Sequence, residues 1–97
     1  MKVEFHPQAR LEFLAATDWY ALRSVALGDG FVTEIKAAID RVSVMPAAWP
    51  IVDGVIRRVL VSRFPYGVLY EQRDDCVYVV AVMHTRQRPD YWRKRIA

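Results

Sequence analysis

The sequence has a single cysteine, Cys76, and no apolar run near the roughly 18 to 20 residues that a membrane-spanning helix requires. One cysteine cannot form an internal disulfide, and without Cys or His neighbours it does not suit a structural zinc site. The stretch Met1 to Pro7 also lacks the apolar core of a signal peptide. We therefore expect a cytoplasmic protein that makes no membrane contact, in which Cys76 is an ordinary strand residue.

Several catalytic motifs are missing as well. The chain has no glycine-rich phosphate loop, no metal-ligand spacing and no serine nucleophile elbow. Asp74-Asp75 has no third ligand nearby and is typical of a solvated turn. These absences exclude metal hydrolases and nucleoside-triphosphate enzymes, and they predict a protein with no metal and no cofactor.

The chain contains enough apolar residues to form one hydrophobic core. Its 97 residues are 54% hydrophobic and 26% charged, which predicts a single globular domain over residues 1–97. Charge is uneven along it: residues 1–56 hold five Lys or Arg against seven Asp or Glu, whereas residues 57–97 hold nine against four. The basic half suits a polyanion or an acidic protein partner.

The first half predicts a short strand over residues 3–5 and two helices. Pro7 suits a first helical turn because its missing N–H would be unpaired there anyway. Gly28-Asp29-Gly30 predicts the break between helices of about residues 7–25 and 29–44, with Asp29 as the cap of the second. The apolar stripes at helical spacing, which we expect to face the core, are Leu11, Ala15, Trp19 and Leu22 in the first helix and Phe31, Ile35, Ile39, Val42 and Met45 in the second.

The second half changes to β-branched and aromatic runs at residues 55–61, 66–70 and 76–83. Short breaks between them predict an antiparallel meander. The expected fold is α+β in the order β-α-α-β-β-β, with an antiparallel helical hairpin on one face of a small antiparallel sheet and a basic C-terminal tail. We expect the other face to be partly open and residues 77–83 to be central.

Potential chemistry concentrates where the last strand ends. Alternation along that strand predicts that Tyr78, Val80, Val82 and His84 share one face. From His84 to Arg95 the chain carries five cationic side chains and three rings, and Arg58 and Arg63 can join them. Such a cluster can bind phosphates and stack bases, or cleave RNA without a metal by attack of a 2′-hydroxyl. The alternative is structural: His84 bonds a neighbouring carbonyl and the aromatic pair at 91–92 covers the sheet.

Two segments, Arg57–Tyr70 and Val79–Trp92, resemble the RelE/ParE toxin family of bacterial toxin–antitoxin modules. The likeness rests on Arg-Phe-Pro-Tyr at residues 63–66 and on His-x-x-x-Arg-Pro-x-Tyr-Trp at residues 84–92. The resemblance implies a small cytoplasmic toxin of the plasmid-stabilisation kind. It also implies that a cognate antitoxin holds the toxin inactive in a hetero-oligomer by wrapping it with an amphipathic segment.

The resemblance leaves two actions, because RelE-like members cleave ribosome-bound mRNA and ParE-like members bind and inhibit DNA gyrase. RelE-like nucleases carry alternating lysines on one strand, where this chain has Arg58 and Leu60. They carry an arginine on the next strand, where this chain has Gly67. We therefore expect a ParE-like toxin. Under the RelE-like alternative we expect His84, Arg86 and Tyr91 to be the catalytic residues. In either case the residues expected to contact the target or its phosphates are Arg58, Arg63, Arg86, Arg88 and Trp92.

Overall fold

The computed structural model describes residues 1–96 and confirms the predicted α+β architecture. Its elements are β1 (Lys2–Phe5), α1 (Pro7–Ala21), α2 (Val25–Val44), β2 (Ile51–Asp53), β3 (Ile56–Leu60), β4 (Tyr66–Arg73), β5 (Cys76–His84) and a 3-10 helix (Arg93–Ile96). The sheet order is β1-β5-β4-β3-β2. The expected meander is antiparallel, but β1 pairs in parallel with β5, and the short strand β2 was not predicted.

The break between the helices lies earlier than the glycines suggest. Ser24 caps α2, its hydroxyl accepting the Leu27 N–H at 3.3 Å, so Gly28-Asp29-Gly30 lies inside the helix and the predicted Asp29 cap is wrong. A Cβ atom at Gly28 would lie 2.7 Å from the Cβ of Ala21. The glycine is therefore needed for the close approach of α1 and α2 rather than for a break.

Only one of the two predicted helical stripes faces the core. In α2, Phe31, Ile35, Ile39 and Val42 are buried as predicted, although Met45 beyond the helix is exposed. In α1 the prediction is wrong: Leu11, Trp19 and Leu22 are 57%, 51% and 86% exposed, and Ala15 is also exposed. The buried residues of α1 are Ala9 and Ala16, because small side chains let this helix lie close to its neighbours.

A β-bulge changes which residues of β5 share a face. Leu69 pairs with Ala81 but Tyr70 pairs with Val79, so Val80 has no opposite residue on β4. Alternation is interrupted at such an extra residue. Tyr78 and Val80 therefore pack on the face away from the helices, whereas Val82 and His84 lie on the helix side. The predicted shared face is right for Val82 and His84 and wrong for Tyr78 and Val80.

The face away from the helices is covered by the C-terminal segment instead of being partly open. Trp92 packs there, and the buried residues of this second cluster are Ile56, Leu69, Val80, Ala81, Met83 and Trp92. Among the helices of residues 1–96, none combines the length and apolar character needed to cross a membrane. Within the same residues, no three His, Cys, Asp or Glu side chains are grouped to hold a metal ion.

Candidate functional site

Three arginines line a cleft of about 360 Å³ on the sheet face away from the helices. Arg58 comes from β3, Arg88 from the segment after β5, and Arg93 from the 3-10 helix. The floor of this arginine cleft is apolar and consists of Leu69, Met83 and Trp92. Guanidinium groups over an apolar floor suit carboxylate or phosphate ligands, because each presents several N–H donors in a fixed plane.

Arg58 owes its place to the sheet register. It lies opposite Leu69, on the cleft face, whereas Arg57 has its guanidinium on the Trp49 carbonyl oxygen at 2.6 Å. A Cβ on Gly67 would come within 3.2 Å of the Arg58 Cδ, so the glycine provides space for the arginine stem. Arg58 forms no ion pair with any residue of the described range 1–96, which leaves its donors available for a ligand.

The other two arginines have partial partners. Arg88 Nε lies 3.2 Å from Asp90, and Arg93 Nε lies 2.6 Å from Asp53. The arginine side chains are 80% and 60% exposed in these pairs. Exposed pairs of this kind contribute little to stability and orient the guanidinium without using all five donors. The cleft therefore keeps an excess of positive charge.

The remaining two predicted cations lie outside this cleft. Arg86 is exposed in the turn that follows β5. Arg63 lies in the loop before β4 with a positive φ of 69°, and its guanidinium is 3.9 Å from Glu34 of α2. The structure thus brings together Arg58 and Arg88 of the predicted set, but not Arg63 or Arg86.

His84 lines a second cleft, of about 450 Å³, on the helix side of the sheet. Its ring meets Tyr66 edge to face at 5.1 Å between centroids, and Trp19 and Tyr20 complete the aromatic wall. His84 Nδ1 accepts the Arg86 N–H at 3.0 Å, a contact that caps the turn. His84 and the arginine cleft are therefore on opposite faces of the sheet and cannot act on one phosphate together.

The two predicted aromatic site residues serve the fold. The Tyr91 hydroxyl donates to Glu12 Oε2 at 2.5 Å, and burial together with this bond raises the pKa of Tyr91 well above its ordinary value of 10.0. Trp92 is 1% exposed and donates its indole N–H to the Pro89 carbonyl at 2.8 Å. Trp92 was predicted to contact the target, and in this structure it is an almost fully buried residue in the floor of the arginine cleft.

Sequence reasoning missed Arg93, Glu12 and Arg95. Arg93 was within the basic tail, but no spacing rule showed that the tail folds back beside Arg58. Glu12 was outside the apolar stripe predicted for α1, and its carboxylate pairs with Arg95 at 2.8 Å. A pairing between residues 83 positions apart leaves no local signal in one sequence.

The model of a family described as "ParE toxin of type II toxin-antitoxin system, parDE" matches residues 3–89 of the chain. Among solved structures, the fold is similar to a chain of the chromosomal ParDE TA system from P. aeruginosa, with a TM-score of 0.62. The two chains are 11% identical, over 87% of this chain and 95% of that one, and a likeness at this identity shows the fold alone. No curated protein matches the chain.

Proposed function

The chain belongs to the ParE toxin family of type II toxin–antitoxin systems, and from this premise we propose that it arrests bacterial growth by binding and inhibiting DNA gyrase. The observation that carries the proposal is the arginine cleft, in which three arginines outnumber the two carboxylates of its lining, Asp53 and Asp90. Such a site can hold an acidic surface, because both carboxylates are already paired with arginines and the charge that remains is positive. Binding, rather than bond cleavage, is the action that these residues suit.

The alternative, cleavage of ribosome-bound mRNA, is less well supported. Attack of a 2′-hydroxyl on phosphate needs a base and an acid around one phosphorus atom, with cations over the developing charge. His84 lies across the sheet from Arg58 and Arg88, and Tyr91 holds its proton in a bond to Glu12. At Gly67, where the resemblance leads us to look for a strand arginine, there is no side chain.

We also propose a cognate antitoxin as the partner of this chain in the cell, in a hetero-oligomer. The support is an exposed apolar band on α1, formed by Leu11, Leu14, Trp19 and Leu22, which are 46% to 86% exposed. Several large apolar side chains exposed along one helix of a small domain favour a protein partner. Gyrase acts in the cytoplasm, so we place both the toxin and its antitoxin there.

A supercoiling assay with purified toxin and gyrase tests the target. Wild-type toxin should inhibit supercoiling. Arg58→Ala or Arg88→Ala should each raise the half-inhibitory concentration about tenfold, as expected when an arginine that becomes buried in the complex is truncated. The matched control is Arg10→Ala, which removes an exposed arginine of α1 and should behave as wild type.

Full gyrase activity at excess toxin would overturn the proposal. Mapping of message ends after toxin induction covers the alternative, because new codon-specific ends would identify a ribosome-dependent nuclease instead.

A further inference from the structure

The edge of β5 is left without a neighbouring strand halfway along its length. β1 pairs with β5 only from Cys76 to Val79, and the chain then leaves the sheet at His6, whose N–H donates to the Val79 carbonyl. Beyond that point Val80 C=O and Val82 N–H face outward from the sheet. Unpaired backbone groups at such an edge need partners from elsewhere.

Two side chains from distant parts of the sequence supply those partners. Glu12 Oε1 accepts the Val82 N–H at 3.1 Å, and Arg95 donates to the Val80 carbonyl at 3.0 Å. Arg95 also forms a two-pronged pair with Glu12, at 2.8 Å and 3.0 Å, while Tyr91 donates to the second carboxylate oxygen. One carboxylate of α1 thus accepts four hydrogen bonds and ties the C-terminal segment to the edge of the sheet.

This Glu12–Arg95 pair differs from the other ion pairs of residues 1–96. Its side chains are 20% and 13% exposed, whereas every other pair includes an arginine at least 46% exposed. Removing one partner of a shielded pair leaves the other charge without compensation, so such a pair fixes geometry more strictly than a surface pair does. Both anchors, Tyr91 and Arg95, lie next to the residues that form the arginine cleft.

We propose that Glu12 is the positioning residue of the arginine cleft: it acts from α1, through Tyr91 and Arg95, to place Arg88 and Arg93 beside Arg58 on the opposite face of the sheet. Glu12 touches no ligand in this scheme. The contribution of Glu12 to target binding rests on the proposed function, because it requires that the arginine cleft contacts the target. The placement of the C-terminal segment by Glu12 does not depend on what the target is.

Limited trypsin digestion of the full chain tests the placement directly, because Arg93, Lys94 and Arg95 are cleavage sites in the held segment, whereas the Arg88–Pro89 bond resists trypsin. Glu12→Gln should raise the rate of cleavage there about tenfold, while cleavage within α1 and α2 stays slow, as expected for local opening. Glu4→Gln, the same substitution at an exposed position of β1, is the control and should leave both rates unchanged. Tyr91→Phe, which keeps the Glu12–Arg95 pair and is expected to fold, should give an intermediate rate.

Coupling between Glu12 and Arg88 separates positioning from a general loss of stability. If Glu12 acts through the cleft, Glu12→Gln and Arg88→Ala each weaken gyrase inhibition, but the loss in the double variant is smaller than the sum of the two single losses, since non-additivity marks a shared element. Additive losses would overturn the inference, and so would a trypsin-resistant segment in Glu12→Gln. If wild-type toxin fails to inhibit gyrase, the proposed function is contradicted, and the digestion result alone decides the role of Glu12.

Discussion

The two faces of the sheet are covered in different ways. On one face, helices of 15 and 20 residues bury a continuous apolar core. On the other face, the covering segment supplies one fully buried side chain, Trp92, and its polar anchors include the hydrogen bonds to Glu12 and the Arg93–Asp53 pair. Apolar packing, which stabilises the fold, and the arginines, which we expect to bind the target, are therefore separated by the thickness of one sheet.

The largest effect should come from the helix face. Phe31 is fully buried, with ring centroids 5.0 Å to 6.2 Å from those of four aromatic neighbours, which are Phe13, Tyr20, Phe64 and Tyr66. Phe31→Ala should lower the free energy of unfolding by about 4 kcal/mol, because it leaves a cavity among these rings. Urea denaturation measures the loss. Val44→Ala, at an 80% exposed site of the same helix, should cost about 0.5 kcal/mol or less, and equal losses would contradict the comparison.

Truncating Trp92 should cost less although the residue is larger. We expect Trp92→Ala to lower the free energy of unfolding by about 2 to 3 kcal/mol, because the C-terminal segment can detach locally while the helix-side core stays intact. Urea denaturation gives the value, and trypsin digestion shows whether the segment has opened. A loss as large as that of Phe31→Ala would mean that the two faces form one cooperative core.

The contact between the helices gives the next smaller effect. Gly28→Ala should cost about 1 to 2 kcal/mol, because the new Cβ would meet the Cα and Cβ of Ala21 at 2.9 Å and 2.7 Å. Gly30→Ala, two residues on, has no foreign atom nearer than 3.6 Å and should stabilise the protein by about 0.5 to 1 kcal/mol. The midpoints of thermal unfolding of the two variants should therefore shift in opposite directions. Shifts of the same sign would show that Gly28 is not a close-approach site.

The smallest effect should come from one hydroxyl on the opposite face. Tyr91→Phe should cost about 1 kcal/mol at neutral pH. Burial and the bond to Glu12 raise the pKa of Tyr91 in the folded state, so its stabilising contribution is complete below its ordinary pKa of 10.0 and is lost as the pH rises above that value.

Unfolding free energies from about pH 8 to pH 11 measure this dependence. Wild-type stability should fall at the alkaline end, and Tyr91→Phe should fall less steeply. Some slope should remain, because burial raises the pKa of Tyr66 and Tyr70 in the same direction. Identical slopes in the two proteins would show that Tyr91 does not carry the alkaline loss.

Element order was predictable because it follows from changes of hydrophobic period along the chain. The side of each helix or strand that faces the core was less predictable. The first helix has large apolar residues on both sides, and periodicity selected Leu11 and Trp19, whereas close packing selected Ala9 and Ala16. The core-facing side of α1 combines these two alanines with Phe13 and Tyr20, and such a mixture of small and large residues gives only a weak periodic signal.

The candidate site was predictable as a basic, aromatic region but not as an arrangement. The bulge at Val80 reverses the alternation expected along β5, so His84 faces the helices while Arg58 and Arg88 lie across the sheet. The register of β3 against β4, which puts Arg58 beside Gly67, depends on pairing between strands and not on either strand alone. The contacts of Glu12 could not be predicted for the same reason, since its partners lie at the far end of the sequence.

The parallel pairing of β1 with β5 has a consequence for how the toxin is made. Val3 lies opposite Val77, so the strand that a ribosome synthesises early waits for one that it synthesises late. Contacts between such distant positions slow folding. We expect the nascent chain to remain incompletely folded until β5 has been translated. An incompletely folded toxin does not harm the cell that is translating it, and a newly made antitoxin has time to bind.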